Sequence, residues 1–261
     1  MAPLALFVSF YVATLIVLSL LRFPFVQWLG LISVGVATAA TIAIWDRGQW
    51  PLGLFVPPRL AIPELLGGSA FGAVVIAMCA ALVVLSTAVW HERGSGFPWR
   101  EVLIVYLPGA FHEKLLFRDY AFQKLHRFHR GFALVFVALI FAGLHLGNAA
   151  VSWLGIANIF LGGVLLGLAY ERYGRLWFPI GLHLAWNVTS GPILGHEVSG
   201  FDSMVTVFVE RGSGPTFLTG GEFGIEGSLW MTLTELTAIA FLAIRTRRQA
   251  FAIAADKESS E

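Results

Sequence analysis

Charge is scarce in this chain: Asp, Glu, Lys and Arg make up 13% of its 261 residues, against about 25% in an average soluble domain. That shortage excludes an ordinary soluble fold. Cysteine is nearly absent. Cys79 is alone and lies in the apolar run Val74–Leu85, where a small buried hydrophobe is expected and neither a disulfide nor a thiol nucleophile is. A one-sided basic face is missing too, since the net charge is +1 and the basic residues are scattered between apolar segments, so nucleic acid is not an expected partner. Two hydrolase signatures fail. The zinc pattern His-Glu-x-x-His starts at His112 and Glu113 but meets Leu116 where its second histidine must stand. No Gly-x-Ser-x-Gly elbow occurs, and Ser190 has no nucleophile setting. The first residues lack the positive region of a signal peptide, and the apolar stretch from Leu4 to Leu21 is too long for one, so a retained helix is expected.

What is present is apolar sequence from end to end, 57% of residues. After the first stretch, runs near 26–45, 64–90, 101–124, 131–147, 150–170, 176–195 and 229–244 approach the length that spans a bilayer. A helix pairs its own backbone amides inside lipid and an isolated strand does not. The expectation is therefore an all-α, polytopic transmembrane bundle of about eight helices, 1–261 forming one membrane domain. With eight crossings the termini share a side. Placing them inside gives that side Arg47, Arg59, Lys124, Arg127, Arg130, Arg172, Arg175, Arg245, Arg247, Arg248 and Lys257, and leaves the other Arg22, Arg93, Arg100 and Arg211. The imbalance predicts cytoplasmic termini. The segment 196–226 reads as an acidic, Gly-rich outer loop that covers a cavity or is partly disordered, with no assigned role, and 246–261 as a short cytoplasmic tail.

Ionisable residues inside a bilayer cost roughly 2.5–3.5 kcal/mol each and so point to function. The fourth crossing carries Glu113, Lys114 and Arg118, the fifth His145, and the seventh His183 with Asn187. At about 1.5 Å of rise per residue, Glu113, His145 and His183 lie roughly 16, 21 and 10 Å from one membrane face. They can share one buried layer. Phe141 and His145 are four apart, as are His183 and Asn187, so each pair occupies one helix face. Blander readings compete: a membrane histidine or Asn187 can be interhelical glue, and Arg118 can snorkel. Glu64 and Glu235 read as structural residues near helix ends. Asp119, His126, His129, His91, His112 and His196 read as solvated.

A buried carboxylate beside an imidazole can take a proton from water, and donors from His183 and Asn187 can hold the oxyanion of a tetrahedral intermediate. Glu113, His145 and His183 also suit a three-ligand catalytic zinc site, which stays open as an alternative.

At these residues the chain resembles the CAAX protease and bacteriocin-processing family of glutamic-type intramembrane proteases, related to the CAAX endopeptidase of the endoplasmic reticulum. The family's Glu-Glu-x-x-x-Arg is matched by Glu113 through Arg118, its Phe-x-x-x-His by Phe141 to His145, and its His-x-x-x-Asn by His183 to Asn187. The resemblance covers about 101–195, the expected catalytic core, and takes in Gly162 to His183. It implies that Glu113 and His145 activate water, that His183 and Asn187 form the oxyanion hole, that Lys114, Arg118 and Phe141 support them, and that no metal is obligatory. It implies a membrane-associated peptide or protein substrate, such as a prenylated CAAX tail, a leader peptide or a C-terminal sorting signal, and mildly a prokaryotic inner membrane. The oligomeric state stays open. One departure stands out: Lys114 replaces the family's second glutamate and sits four residues from Arg118. Two cations at that spacing repel, so an anion from another helix is expected between them unless Lys114 is uncharged. The swap also admits an inactive relative acting as a scaffold or immunity protein. A transporter ranks last, lacking paired Gly/Pro-broken helices.

Overall fold

The computed structural model describes residues 2–48 and 53–258, with side chains of the last helix as far as Ile244. Among these the elements are α1 (Ala2–Leu20), α2 (Val26–Ile44), α3 (Pro58–Ser86), β1 (Trp90–Arg93), α4 (Trp99–Glu101), α5 (Leu107–Arg118), α6 (Tyr120–Phe128), α7 (Arg130–Leu144), α8 (Trp153–Tyr173), α9 (Trp177–Val188), β2 (Phe208–Arg211), α10 (Thr216–Thr219) and α11 (Leu229–Glu258). The protein is an all-α bundle, as expected, with one added two-stranded antiparallel ribbon, β1 to β2.

Among the described residues, five helical segments are long and apolar enough to cross a bilayer: α1, α2, α3, Arg130–Gly147 and α8, with Leu229–Ile244 a shorter apolar helix. The fourth and seventh expected crossings are built differently. Backbone that starts at α4 passes through a π-helical segment, Val102–Tyr106, into α5. Pro108 cannot donate the amide bond a regular helix needs, and the wider segment precedes it. The run then stops at Asp119 (φ −99, ψ −118) rather than at residue 124. The chain resumes as amphipathic α6, whose Tyr120, Phe122 and Gln123 are buried while Phe128 is exposed. Beyond α9 a second π-helical segment, Thr189–Ile193, contains Pro192. The helix expected over 229–244 continues to Glu258. The tail reading for 246–261 therefore falls partly on helix; residues 259–261 and the side chains beyond Ile244 lie outside the described residues.

The connections form two groups, at opposite ends of α9. At one end Tyr120 donates to Asp46 (2.6 Å), Trp177 donates to the Leu54 carbonyl (3.0 Å), and Arg175 pairs with buried Glu64. At the other, the β1–β2 ribbon and 194–228 fold together. Small residues bring α9 close to α3. A Cβ on Gly68 would collide with the carbonyl of Phe178, one on Gly72 with that of Leu182, and one on Gly181 with that of Leu65. This is the small-residue packing by which helices approach in lipid, where apolar burial supplies no drive.

Candidate active site

The bundle holds a half-open cavity of about 1160 Å³ lined by Glu113, His145, His183 and Asn187, with Phe141, Tyr106 and Asn158. Four expected site residues, from α5, the end of α7 and α9, therefore meet one space. Glu113 lies on the last turns of α5, which end at Arg118. Its Oε2 is 3.5 Å from His183 Nδ1 and 3.5 Å from Lys114 Nζ. Both contacts fall on Oε2, which leaves Oε1 as the oxygen able to take a proton from bound water. Asn187, one turn beyond His183 on α9, donates its amide to His183 Nε2 at 3.1 Å. That bond directs the His183 Nδ1 proton toward Glu113 and leaves Asn187 a second N–H.

His145 caps the C-terminus of α7 and opens a short 3-10 turn, His145–Gly147. Its Nδ1 donates to the Phe141 carbonyl at 2.7 Å, so Nε2 is left with its lone pair. The Phe141 ring packs on His145 at 4.6 Å between centroids and is itself buried. The spacing of four thus sets both the ring contact and the tautomer.

Lys114 and Arg118 are buried at 1% exposure and lie behind the cavity wall rather than on it. The folded contacts correct the expectation of a counter-ion from another helix. The only carboxylate paired with Lys114 among the described residues is its own neighbour, Glu113. Arg118 donates to two carbonyls, Phe117 at 2.7 Å and Gly163 on α8. Lys114 also lies 5.5 Å from the centre of the Phe141 ring. Repulsion between the cations is thus relieved by carbonyl dipoles and a local ion pair.

Several residues read as solvated are not. Asp119 is fully buried and accepts from Gln123 (2.8 Å), because it sits in the break between α5 and α6. His112 stacks with Tyr11 of α1 and bonds its hydroxyl at 2.9 Å. His196 is buried and faces His91. His126 pairs with Glu171 at 2.9 Å. His129 is exposed as expected, and also accepts from the Phe132 amide at the start of α7.

The segment 196–226, expected as an unassigned loop, is a folded cover. Buried Glu226 accepts from the Trp186 indole (2.7 Å) and from both the amide (2.7 Å) and hydroxyl (2.6 Å) of Ser199. Asn158 of α8 donates to the Glu226 and Ser228 carbonyls at 2.7 and 2.8 Å. Tyr106 bonds Ser203 at 2.7 Å, and Ser203 donates to Glu101 at 3.0 Å. Val198, Ser199, Phe201 and Asp202 line the same cavity. Sequence reasoning missed Glu226 because its acidic, Gly-rich surroundings look solvated; the indole N–H of Trp186, on α9 one residue before Asn187, was a signal only in retrospect. Glu235 also lines the cavity, fully buried, with Oε2 lacking a hydrogen-bond partner among the described residues.

Metal-type ligand geometry lies elsewhere. Among the described residues, the three-residue group with ligand atoms all within 4.8 Å of one another is His91, His196 and Glu210, and Glu113, His145 and His183 do not form such a group.

Fold and cavity together define an integral membrane protein with a carboxylate and two imidazoles around one cavity. Residues 95–189 match the family model described as type II CAAX prenyl endopeptidase Rce1-like. No curated protein matches the chain. The matched stretch contains all four candidate catalytic residues and ends two residues beyond Asn187.

Proposed function

We propose that the chain hydrolyses a peptide bond of a membrane-associated substrate by water attack, without a covalent intermediate. The observation that carries the reading is that Glu113, His145, His183 and Asn187 line one cavity while Glu113 and Asn187 both contact His183. In this reading Glu113 Oε1 takes the proton of a water that His145 Nε2 helps to orient. The water oxygen adds to the scissile carbonyl, and the developing oxyanion is held by the remaining Asn187 N–H and by His183 after its imidazole reorients or is protonated. The proton on Glu113 then passes to the leaving amine. Donors fixed within the protein are worth more than in water, which is how such an arrangement lowers the barrier.

The substrate end is read as a prenylated CAAX tail, a leader peptide or a C-terminal sorting segment, with 101–195 as the catalytic core of a single membrane domain over 1–261. The reaction needs no metal in this reading. The Lys114 ammonium beside Glu113 disfavours a second cation on the same carboxylate. The termini are read as cytoplasmic, in a prokaryotic inner membrane.

A second reading has its own observation: Lys114 competes for the Glu113 carboxylate, which suits an inactive relative that binds a peptide as a scaffold or immunity protein. Purified protein in lipid vesicles, given prenylated and unmodified quenched peptides, separates the two. Cleavage by the wild type that Glu113→Gln abolishes while folding is kept supports the hydrolase. Peptide binding without cleavage by either form supports the scaffold, and undiminished turnover by Glu113→Gln removes Glu113 as the base.

A further inference from the structure

At the end of the bundle where the ribbon packs, three side chains converge that the hydrolytic reading does not use. His91 of β1 and Glu210 of β2 are direct cross-strand partners, so both project from the same face of the ribbon. The flanking pair Glu92 and Arg211, 3.2 Å apart, uses the exposed opposite face. His196 reaches the first face from the end of the helical run that begins as α9, anchored by its amide to the Ser190 carbonyl at 3.0 Å. It is buried at 1% exposure, its Nε2 lies 3.3 Å from His91 Nε2, and its Nδ1 touches the Glu210 carboxylate.

We infer that His91, His196 and Glu210 form a binding site for a divalent transition-metal ion of the zinc class, clasping the ribbon to the end of the helix that carries His183 and Asn187. Ligand type and spacing both support it. Two imidazoles and one carboxylate with a fourth position open to water are a donor set that zinc accepts, with bonds of about 2.0–2.2 Å. All three ligand atoms fall within 4.8 Å of one another. None of the three residues lines the central cavity, so the site is separate from the proposed catalytic centre and does not depend on its reading.

Tag-free, chelator-treated protein in detergent tests this by zinc titration calorimetry and by thermal unfolding with and without zinc. One zinc per chain is expected, together with a zinc-dependent rise in unfolding temperature. His91→Ala and the more conservative Glu210→Gln should each weaken zinc binding by about 100-fold or more, since even losing an outer-shell partner costs about 10–100-fold. His145→Ala should leave it intact. No stoichiometric zinc binding by the wild type, or binding kept in Glu210→Gln and lost in His145→Ala, overturns the assignment; the second result would put the ion at the intramembrane histidines instead.

Discussion

At the scale of single residues, function in the proposed site turns on which atom each partner occupies. Glu113 holds His183 and Lys114 through Oε2, so neutralising it removes both the proton acceptor and the carboxylate paired with buried Lys114. Glu113→Gln is expected to lower kcat by at least about 10²-fold, the lower end of what a positioned proton acceptor contributes, with unchanged elution from a sizing column. Asn187→Ala should cost about 10²–10³-fold in kcat with a smaller change in KM, because an oxyanion donor acts in the transition state. A KM effect alone would make Asn187 a helix-packing residue. Far from the cavity, Asp46 offers a test of the ion pairs at the end of the bundle. Burial pushes its carboxyl upward, but hydrogen bonds from Lys124 and Tyr120 outweigh that and hold it below the ordinary carboxylate range. A carboxyl so depressed stabilises the fold above its unfolded pKa of about 3.9 and loses that contribution as pH falls through the folded value. Asp46→Asn should therefore unfold at lower temperature than the wild type at pH 7, with the gap closing as the buffer is taken below pH 4. A constant gap would show that charge plays no part.

Elements matter through how closely they approach. The α3–α9 seam depends on glycines, and Gly72 faces the carbonyl of Leu182, one residue before His183. Gly72→Val would force the helices apart where α9 presents its imidazole. Displacing a reacting group by about 1 Å can cost about 10²-fold, so a large loss of activity is expected in a protein that still inserts and binds detergent normally. Gly35 on α2, with open space around it, is the control, and Gly35→Ala should be silent. Equal losses at both positions would point to a general effect of helix substitution. The breaks in α5 and α9 belong to this scale as well. A π-helical segment adds a residue per turn and re-aims the helix beyond it, here the turns that carry Glu113 and those that lead to His196.

The whole molecule is a bundle whose central cavity is covered by its own 196–226 segment, tied down by Glu226. Glu226→Ala would leave the buried Trp186 indole N–H and the Ser199 amide without partners, at about 1–3 kcal/mol for each group left unpaired. Limited proteolysis should then cut first within 196–226, sooner than in the wild type, before any membrane helix is lost. Cleavage elsewhere, or at the wild-type rate, would separate the cover from Glu226.

Sequence alone determined the membrane class, the all-α architecture and the four residues that share a cavity, because each rests on local rules. Hydrophobic length sets the crossings, a spacing of four sets helix faces, and the cost of charge in lipid singles out Glu113, His145 and His183. Tertiary structure alone decided how Lys114 and Arg118 are accommodated, that Asp119 and His196 are buried, and that Glu226 holds a cover over the cavity. Those depend on partners distant in sequence: Gly163 for Arg118, the α5–α6 break for Asp119, the ribbon for His196, Trp186 and Ser199 for Glu226. A polar residue in a loop has the same local signature whether water or a remote side chain satisfies it, so only the folded contacts distinguish the two.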